Sequence, residues 1–159
     1  MNVRRALVGD EPVLRALRIE ALDDAPEAFG STIAREMART TADWQRWLDP
    51  GVTLILEETG IPRGLVAGAA DYEDPALAYL MAMWVHPLVR GTGAADALVT
   101  ELLAWARESG AQRIQLMVVS SNERAQRLYA RHGFRLTGDQ VTRERDGAIE
   151  LRMERQLAS

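Results

Sequence analysis

Between residues 77 and 108 the chain reads "LAYLMAMWVHPLVRGTGAADALVTELLAWARE". The first nine residues are uncharged and mostly apolar, which predicts a buried strand ending at Val85, just before His86-Pro87. From about Ala94 to Glu108, Leu98, Leu102, Trp105 and Ala106 recur at helical spacing, and Ser109-Gly110 supplies a stop. A strand that passes through a tight turn into a helix belongs to a layered α/β architecture, with the helix covering a sheet. The turn also has chemical meaning. The first turn of a helix carries unpaired N–H groups and a partial positive charge. Gly91 and Gly93 let that backbone approach an anion with no side chain between them, and Arg90 adds a guanidinium. No Gly-Lys-Ser/Thr follows, so this is not a P-loop. Asp96 stands where the third glycine of a dinucleotide fingerprint would be. A plain strand-to-helix turn without a ligand stays open on this stretch alone.

The remainder of the chain continues the alternation without repeats, low-complexity tracts or a linker. "NVRRAL" suits a first strand. Asp10 is placed to cap a helix carrying Val13, Leu14, Leu17 and Leu22 on one face, and "DDAPEAFGST" breaks it. "TADWQRWLDP" predicts a second helix ended by Pro50. "VTLILEE" and "GLVAGAADY" read as strands joined through a hairpin at "TGIPR", "RIQLMVV" as another, and "FRLTGD" and "AIELRMER" as closing strands. The expectation is one domain over residues 1–159, of mixed α/β (α+β) class.

Composition narrows the function. The chain has no cysteine and only His86 and His132, which excludes disulfides, thiolate or histidine-rich metal sites and a cysteine nucleophile. All nineteen basic residues are arginine, yet the net charge is −4. That balance argues against a nucleic-acid partner and fits a cationic one such as an amine. "MNVRRALVGDEPVL" offers neither a signal peptide nor a membrane span, and the expected location is the cytoplasm.

A second stretch, "LMVVSSNERAQRLYARHGF", places Asn122 at the mouth of another strand–helix unit and Tyr129 two helical turns on. Taken together, Arg90-Gly91-Thr92-Gly93-Ala94-Ala95 after Val85-His86-Pro87, and Leu116, Val118, Asn122, Ala125, Leu128, Tyr129, Gly133 and Phe134, resemble the GNAT superfamily of N-acetyltransferases. The resemblance runs from about Leu77 to Leu136. In the N-terminal half it is limited to the order of elements.

That resemblance implies a central, mixed and mostly antiparallel sheet flanked by helices, with acetyl-CoA as co-substrate and no metal. The pyrophosphate would lie on the backbone of Arg90, Gly91, Thr92, Gly93, Ala94 and Ala95. The pantetheine arm would run along Met83, Trp84 and Val85 and meet Asn122. A backbone N–H near Val85 would hold the thioester oxygen, and Tyr129 would protonate the departing thiolate. Each residue has a plainer alternative: Asn122 as an N-cap, Tyr129 as a core tyrosine, Trp44 and Trp47 as core residues, Asp71 to Asp74 as a solvated turn. His86 reads as structural or solvent-facing, and His132 as a helix C-terminal residue.

Many protein-acetylating relatives carry a glutamate base where this chain has Met117, so the base is open among water, Tyr79, Glu27, Glu36 and Asp71. The expected reaction is acetyl transfer to the primary amine of a small molecule in a ternary complex. Acetylation of a protein or peptide, and an idle acyl-CoA-binding module, are the competing readings. For the acceptor, "ALDDAPEAFGSTIAREM" offers Glu27 and Phe29 among Asp23, Asp24 and Glu36, a set suited to an amine with an apolar or polycationic body. The sequence leaves the oligomeric state open, a homodimer included.

Overall fold

The computed structural model describes residues 1–157, so the last two residues of the expected domain, 158–159, lie outside it. Seven strands form one sheet: β1 Asn2–Arg5, β2 Val52–Glu58, β3 Ile61–Ala70, β4 Leu77–Val85, β5 Arg113–Val119, β6 Arg135–Thr142 and β7 Ile149–Gln156. Their spatial order is β1-β2-β3-β4-β5-β7-β6. Only β4 and β5 run parallel; every other neighbouring pair is antiparallel. Five helices accompany the sheet: α1 Glu11–Asp24, α2 Ile33–Met37, α3 Thr41–Gln45, α4 Ala94–Glu108 and α5 Glu123–Arg131. Among the described residues no helix is long and apolar enough to cross a membrane.

Two cores lie on the two faces of the sheet. On one, α4 lays Leu98, Val99, Leu102, Leu103 and Ala106 against β2 to β5, with Leu128, Tyr129 and Phe134 continuing the cluster. On the other, α1 presents Leu14, Leu17, Ala21 and Leu22 to Ile55, Leu65 and Trp84, and Trp44 and Leu48 close its lower end. Each fully buried leucine of these stripes contributes about 1.5–3 kcal/mol relative to exposure. Trp44 is thus a core residue, packed at 5.1 Å between ring centroids against the half-buried Trp47.

The structure departs from the sequence expectations at several joints. Asp10 does precede α1, but its side chain makes no cap. It instead accepts from Leu7 N at 2.8 Å and pairs with Arg4, because a guanidinium on the neighbouring strand outcompetes a weak amide donor. The β2–β3 turn is only Thr59-Gly60, both at positive φ (48° and 81°), and Ile61 to Arg63 are already strand. The helix expected over residues 41–50 is a single turn, α3, with a capping box between Thr40 and Asp43. Residues 33–37 form α2, which begins where Thr32 accepts from Arg35 N.

The irregularity that matters most lies in β4. Leu65 pairs with Trp84 and Ala67 with Met81, so two residues of β4 oppose one of β3. Ala82, inside that bulge, has φ +56°, a left-handed conformation uncommon outside glycine. The bulge turns β4 aside, and its pairing with β5 stops at Tyr79↔Gln115. From Leu80 onward the edge of β4 that would face β5 has no ladder partner.

Candidate active site

Where β4 and β5 separate, a cleft of about 730 Å³ opens between them. The free edge of β4 forms one wall, and Met117 to Val119 of β5 with the first turns of α5 form the other. The turn before α4 closes one end, and the loop between α1 and α2 overhangs the opposite side. Met83, Trp84, Val85, Arg90, Gly91, Gly93, Ala94, Ala95, Asn122, Tyr129, Glu27 and Phe29 all line this cleft. Of the expected site residues only Thr92 does not. Its hydroxyl turns back onto the Val89 carbonyl.

The turn is built for an open backbone. A 3-10 turn at Pro87–Val89 follows His86, whose Nδ1 accepts from Leu88 N at 3.0 Å. Gly91 and Gly93 then take φ of +77° and +84°, and a Cβ on either would meet no heavy atom within 4 Å. Glycine is required here by conformation, and the space it leaves is the cleft itself. Among the described residues, none of the backbone amides from Gly91 to Asp96 has a hydrogen-bond partner. Six consecutive unsatisfied donors at a helix N-terminus form an anion cradle.

Arg90 does not supply the free charge expected of it. Its Nη2 donates to Asp24 at 2.5 Å and its Nε to the Val85 carbonyl at 3.3 Å. Asp24 also accepts from the Trp84 indole, and these bonds, the indole's first, hold its carboxyl below the usual range despite partial burial. The ion pair spans 66 residues, beyond the reach of any local pattern. Cations on the cleft come instead from α5, where Arg124, Arg127 and Arg131 line it at helical spacing. That spacing was visible in the sequence as a basic stripe.

On α5, Asn122 caps the helix, its Oδ1 accepting from Ala125 N at 3.1 Å. Its amide nitrogen has no hydrogen-bond partner among the described residues, so the cap leaves a donor available on the cleft. Tyr129 is 6% exposed, its ring edge-on to Phe134 at 5.8 Å. Its hydroxyl has no partner among the described residues, and burial pushes its pKa well above the usual phenol value. On the cleft itself Asp96 of α4 contacts His132 Nε2 at 2.7 Å and Arg131 at 3.2 Å, bracing the two helices that flank it.

The overhanging loop is pinned from the β6–β7 turn. Arg143 donates to the carbonyls of Glu27 and Phe29, and Arg145 to those of Ser31 and Phe29. Among the residues considered for a base, Glu27 lines the cleft and its carboxylate has no ion-pair partner among the described residues. Tyr79 and Asp71 hydrogen-bond each other, and Asp71 also takes the amides of Glu73 and Asp74, making it a turn residue away from the cleft. Glu36 is fully buried, bonded to Ser31 and Arg39. Phe29 borders the cleft but is only 9% exposed, and its ring stacks under Arg18, whose guanidinium carbon lies 4.9 Å from the ring centre.

Comparison with known proteins agrees with this geometry. Residues 16–134 match the family model described as the acetyltransferase (GNAT) family. A mycothiol acetyltransferase of Parafrankia sp. (strain EAN1pec) is 28% identical over 152 residues, covering 85% of this chain and 46% of that protein. An uncharacterised N-acetyltransferase of Mycobacterium tuberculosis (strain ATCC 25618 / H37Rv) is 44% identical over 64 residues, 40% of this chain and 41% of the relative. The chain therefore matches less than half the length of these curated relatives. A GNAT-family acetyltransferase from Streptococcus pneumoniae superposes with a TM-score of 0.82 at 24% identity, covering 99% of both chains. With a match across three quarters of its length and the same fold, the chain belongs to the GNAT acetyltransferase family.

Proposed function

We propose that this protein transfers an acetyl group from acetyl-CoA to the primary amine of a small molecule. The observation that carries the reading is the convergence, on one cleft, of a run of unpartnered amides, an unpaired strand edge and a buried, unbonded phenol. A Salmonella typhimurium protein of the same fold (TM-score 0.83, 20% identity, covering 100% of this chain and 95% of that one) is described with its cofactor acetyl-CoA.

The residues present suit that co-substrate. Amides 91 to 96 would hold the pyrophosphate, with Arg124 and Arg127 adding positive charge from α5. The free edge of β4, from Met83 to Val85, would bond the amide groups of the pantetheine arm as an added strand does, and Asn122 would donate from the facing wall. Acetyl-CoA so bound supplies a thioester as the electrophile. An amide on the β4 edge near Val85 would stabilise the oxygen on which charge develops. Tyr129, kept protonated by its burial, would give its proton to the sulfur as the carbon–sulfur bond breaks. Glu27, the unpaired carboxylate on the acceptor side, would take the proton from the amine directly or through one water. No enzyme nucleophile is needed, in keeping with a chain that has no cysteine.

The test is release of free CoA thiol from acetyl-CoA over a panel of amines, aminoglycosides and peptides, beside calorimetric binding of acetyl-CoA. Release with small amines supports the proposal. Release with peptides alone would move the acceptor to protein. Binding without any release would make this an acyl-CoA-binding module.

A further inference from the structure

On the α1–α3 face of the sheet lies a second pocket of about 280 Å³. At ~30 Å³ per water, it has room for roughly nine waters, enough for a small polar group and a short stem. It shares Met81 and Ala82, at the β4 bulge, with the main cleft, so the two cavities border the same residues where β4 turns away from β5.

Its charge is one-sided. Arg18 of α1, Arg35 of α2, Arg39 and Arg46 all line it, and no carboxylate does. Glu36 lies behind them, 2.5 Å from Arg39 and 3.6 Å from Arg18, and Asp43 sits 3.3 Å from Arg46. Two carboxylates against four guanidinium groups leave the pocket net positive. Arg18 is the most exacting member. It is only 7% exposed, sandwiched by the Phe29 and Trp47 rings, and its Nε and Nη1 have no hydrogen-bond partner among the described residues. An arginine in this setting bears a desolvation cost that a single carboxylate at 3.6 Å does not offset. The acetyl-transfer chemistry outlined above uses none of these groups.

We infer that this pocket binds an anionic group on the acceptor, so that the amine substrate carries a carboxylate, as amino acids and related small molecules do. The inference rests on the acetyl-transfer reading for its placement: the amine would lie at the bulge, near the thioester, and the carboxylate would reach past Met81 to the arginines. Arg18 would gain the planar, bidentate acceptor that guanidinium geometry favours. The carboxylates nearby do not oppose this: Asp24 of α1 and Glu36 of α2 are already bonded to arginine, and Glu27 lines the main cleft, not this pocket. Of the two acceptor types expected from the sequence, apolar and polycationic, the polycationic one would meet a basic pocket instead.

The experiment has a binding arm and a turnover arm. In the first, N-acetyl-L-phenylalanine, its neutral amide and inorganic phosphate are titrated calorimetrically into the intact chain with CoA present. The carboxylate should bind more tightly than its amide by about tenfold or more, the scale of one charge-assisted hydrogen bond. Arg18→Met should erase that difference. Because Arg18 is buried and replacing it puts the fold at risk, the rim pair Arg35→Gln with Arg46→Gln supplies a second reading and should weaken carboxylate binding several-fold. Arg107→Gln, at the end of α4, should change nothing. In the turnover arm, L-phenylalanine and phenethylamine compete as acceptors, and the amino acid should have the higher kcat/KM. Equal binding of carboxylate and amide to the native chain overturns the inference. Preference for phosphate over carboxylate would also overturn it, by making the pocket an inorganic-anion or phosphate-ester site. Selective carboxylate binding with no thiol release from any amine would leave the pocket standing and remove the acetyl-transfer reading.

Discussion

The indole Nε1 of Trp84 donates to the Asp24 carboxylate at 3.0 Å, joining the last turn of α1 to the end of the strand that carries the site. Arg90 donates to the same oxygen, so one carboxylate fastens helix, strand and glycine turn together. Asp24 is held below its ordinary value by the indole first and the guanidinium second. Asp10 is likewise lowered, chiefly by Arg4.

Both shifts make stability depend on acid. A carboxylate whose folded value is depressed adds stability that is present above its unfolded value of about 3.9. That stability is lost as the pH falls through the lower folded value. Denaturant midpoints should therefore hold steady from pH 7 to about 5 and fall below about 4. Asp24→Asn should flatten part of the acid limb while costing about 1 kcal/mol or less at pH 7, because the pair is partly exposed and screened. An acid limb of unchanged depth in the variant would show that Asp24 contributes nothing there.

The glycine turn allows a controlled comparison. Gly93 and Gly110 flank α4 at φ +84° and +88°, and neither would meet an atom within 4 Å on gaining a Cβ. Alanine at either position therefore carries the same conformational cost, about 1–2 kcal/mol. Only at Gly93 does the new methyl project beside the amides of the cradle. Gly93→Ala should weaken acetyl-CoA binding by about tenfold or more, and Gly110→Ala should leave it unchanged at similar Tm, as calorimetry and thermal melts would read. Equal affinities in both variants would remove the pyrophosphate from this turn.

The contrast between what was and was not legible in the sequence follows from the range of each interaction. The strands, α4 and the Asn122 cap were readable because alternation, helical spacing and an N-cap are local. The glycine turn was readable because conformation restricts it to glycine. Ala82 and the bulge were not, since nothing in "LMAMWV" marks a left-handed alanine until β3 fixes its pairing. Arg90 read as an anion contact, yet Asp24 claims it from 66 residues away. Phe29 read as a substrate ring, but the arginine above it and the α1 core decide its orientation. Nothing local in the sequence singles out Arg18, because its burial depends on contacts with Phe29, Glu36 and Trp47 from later segments.

Tyr129 offers a test of chemistry apart from binding. Its ring fills a core position and only its hydroxyl serves the cleft, so Tyr129→Phe preserves packing against Phe134. If Tyr129 protonates the thiolate, its loss should lower kcat by roughly two orders of magnitude, within the usual range for general acid catalysis. The affinity for acetyl-CoA should stay within a factor of about two. Since burial raises its pKa, the native enzyme should show no loss of rate from Tyr129 ionising anywhere below about pH 10. Full activity in the variant, measured where chemistry limits the rate, would make Tyr129 a packing residue.

Glu27 and Phe29 need different treatment, although they neighbour each other on the loop. Phe29 belongs to the second core and bears Arg18 on its face, so Phe29→Ala would cost about 3–5 kcal/mol and confound any kinetic reading. Glu27 is exposed, its backbone carbonyl is held by Arg143, and its carboxylate is unencumbered. Glu27→Gln keeps the shape and removes only the charge, so the Tm should move by no more than about two degrees, as for a surface change worth under ~0.5 kcal/mol. If Glu27 receives the amine proton, kcat/KM for the acceptor should fall by about 10²-fold near neutral pH, the lower end for a lost base. The loss should shrink as the pH approaches the pKa of the amine, where the acceptor arrives already neutral, and the KM for acetyl-CoA should be unaffected. A uniform loss across pH would instead make Glu27 a binding contact that does not depend on the charge of the amine. An unchanged profile would leave water as the proton acceptor, with the loop serving only to cover the thioester.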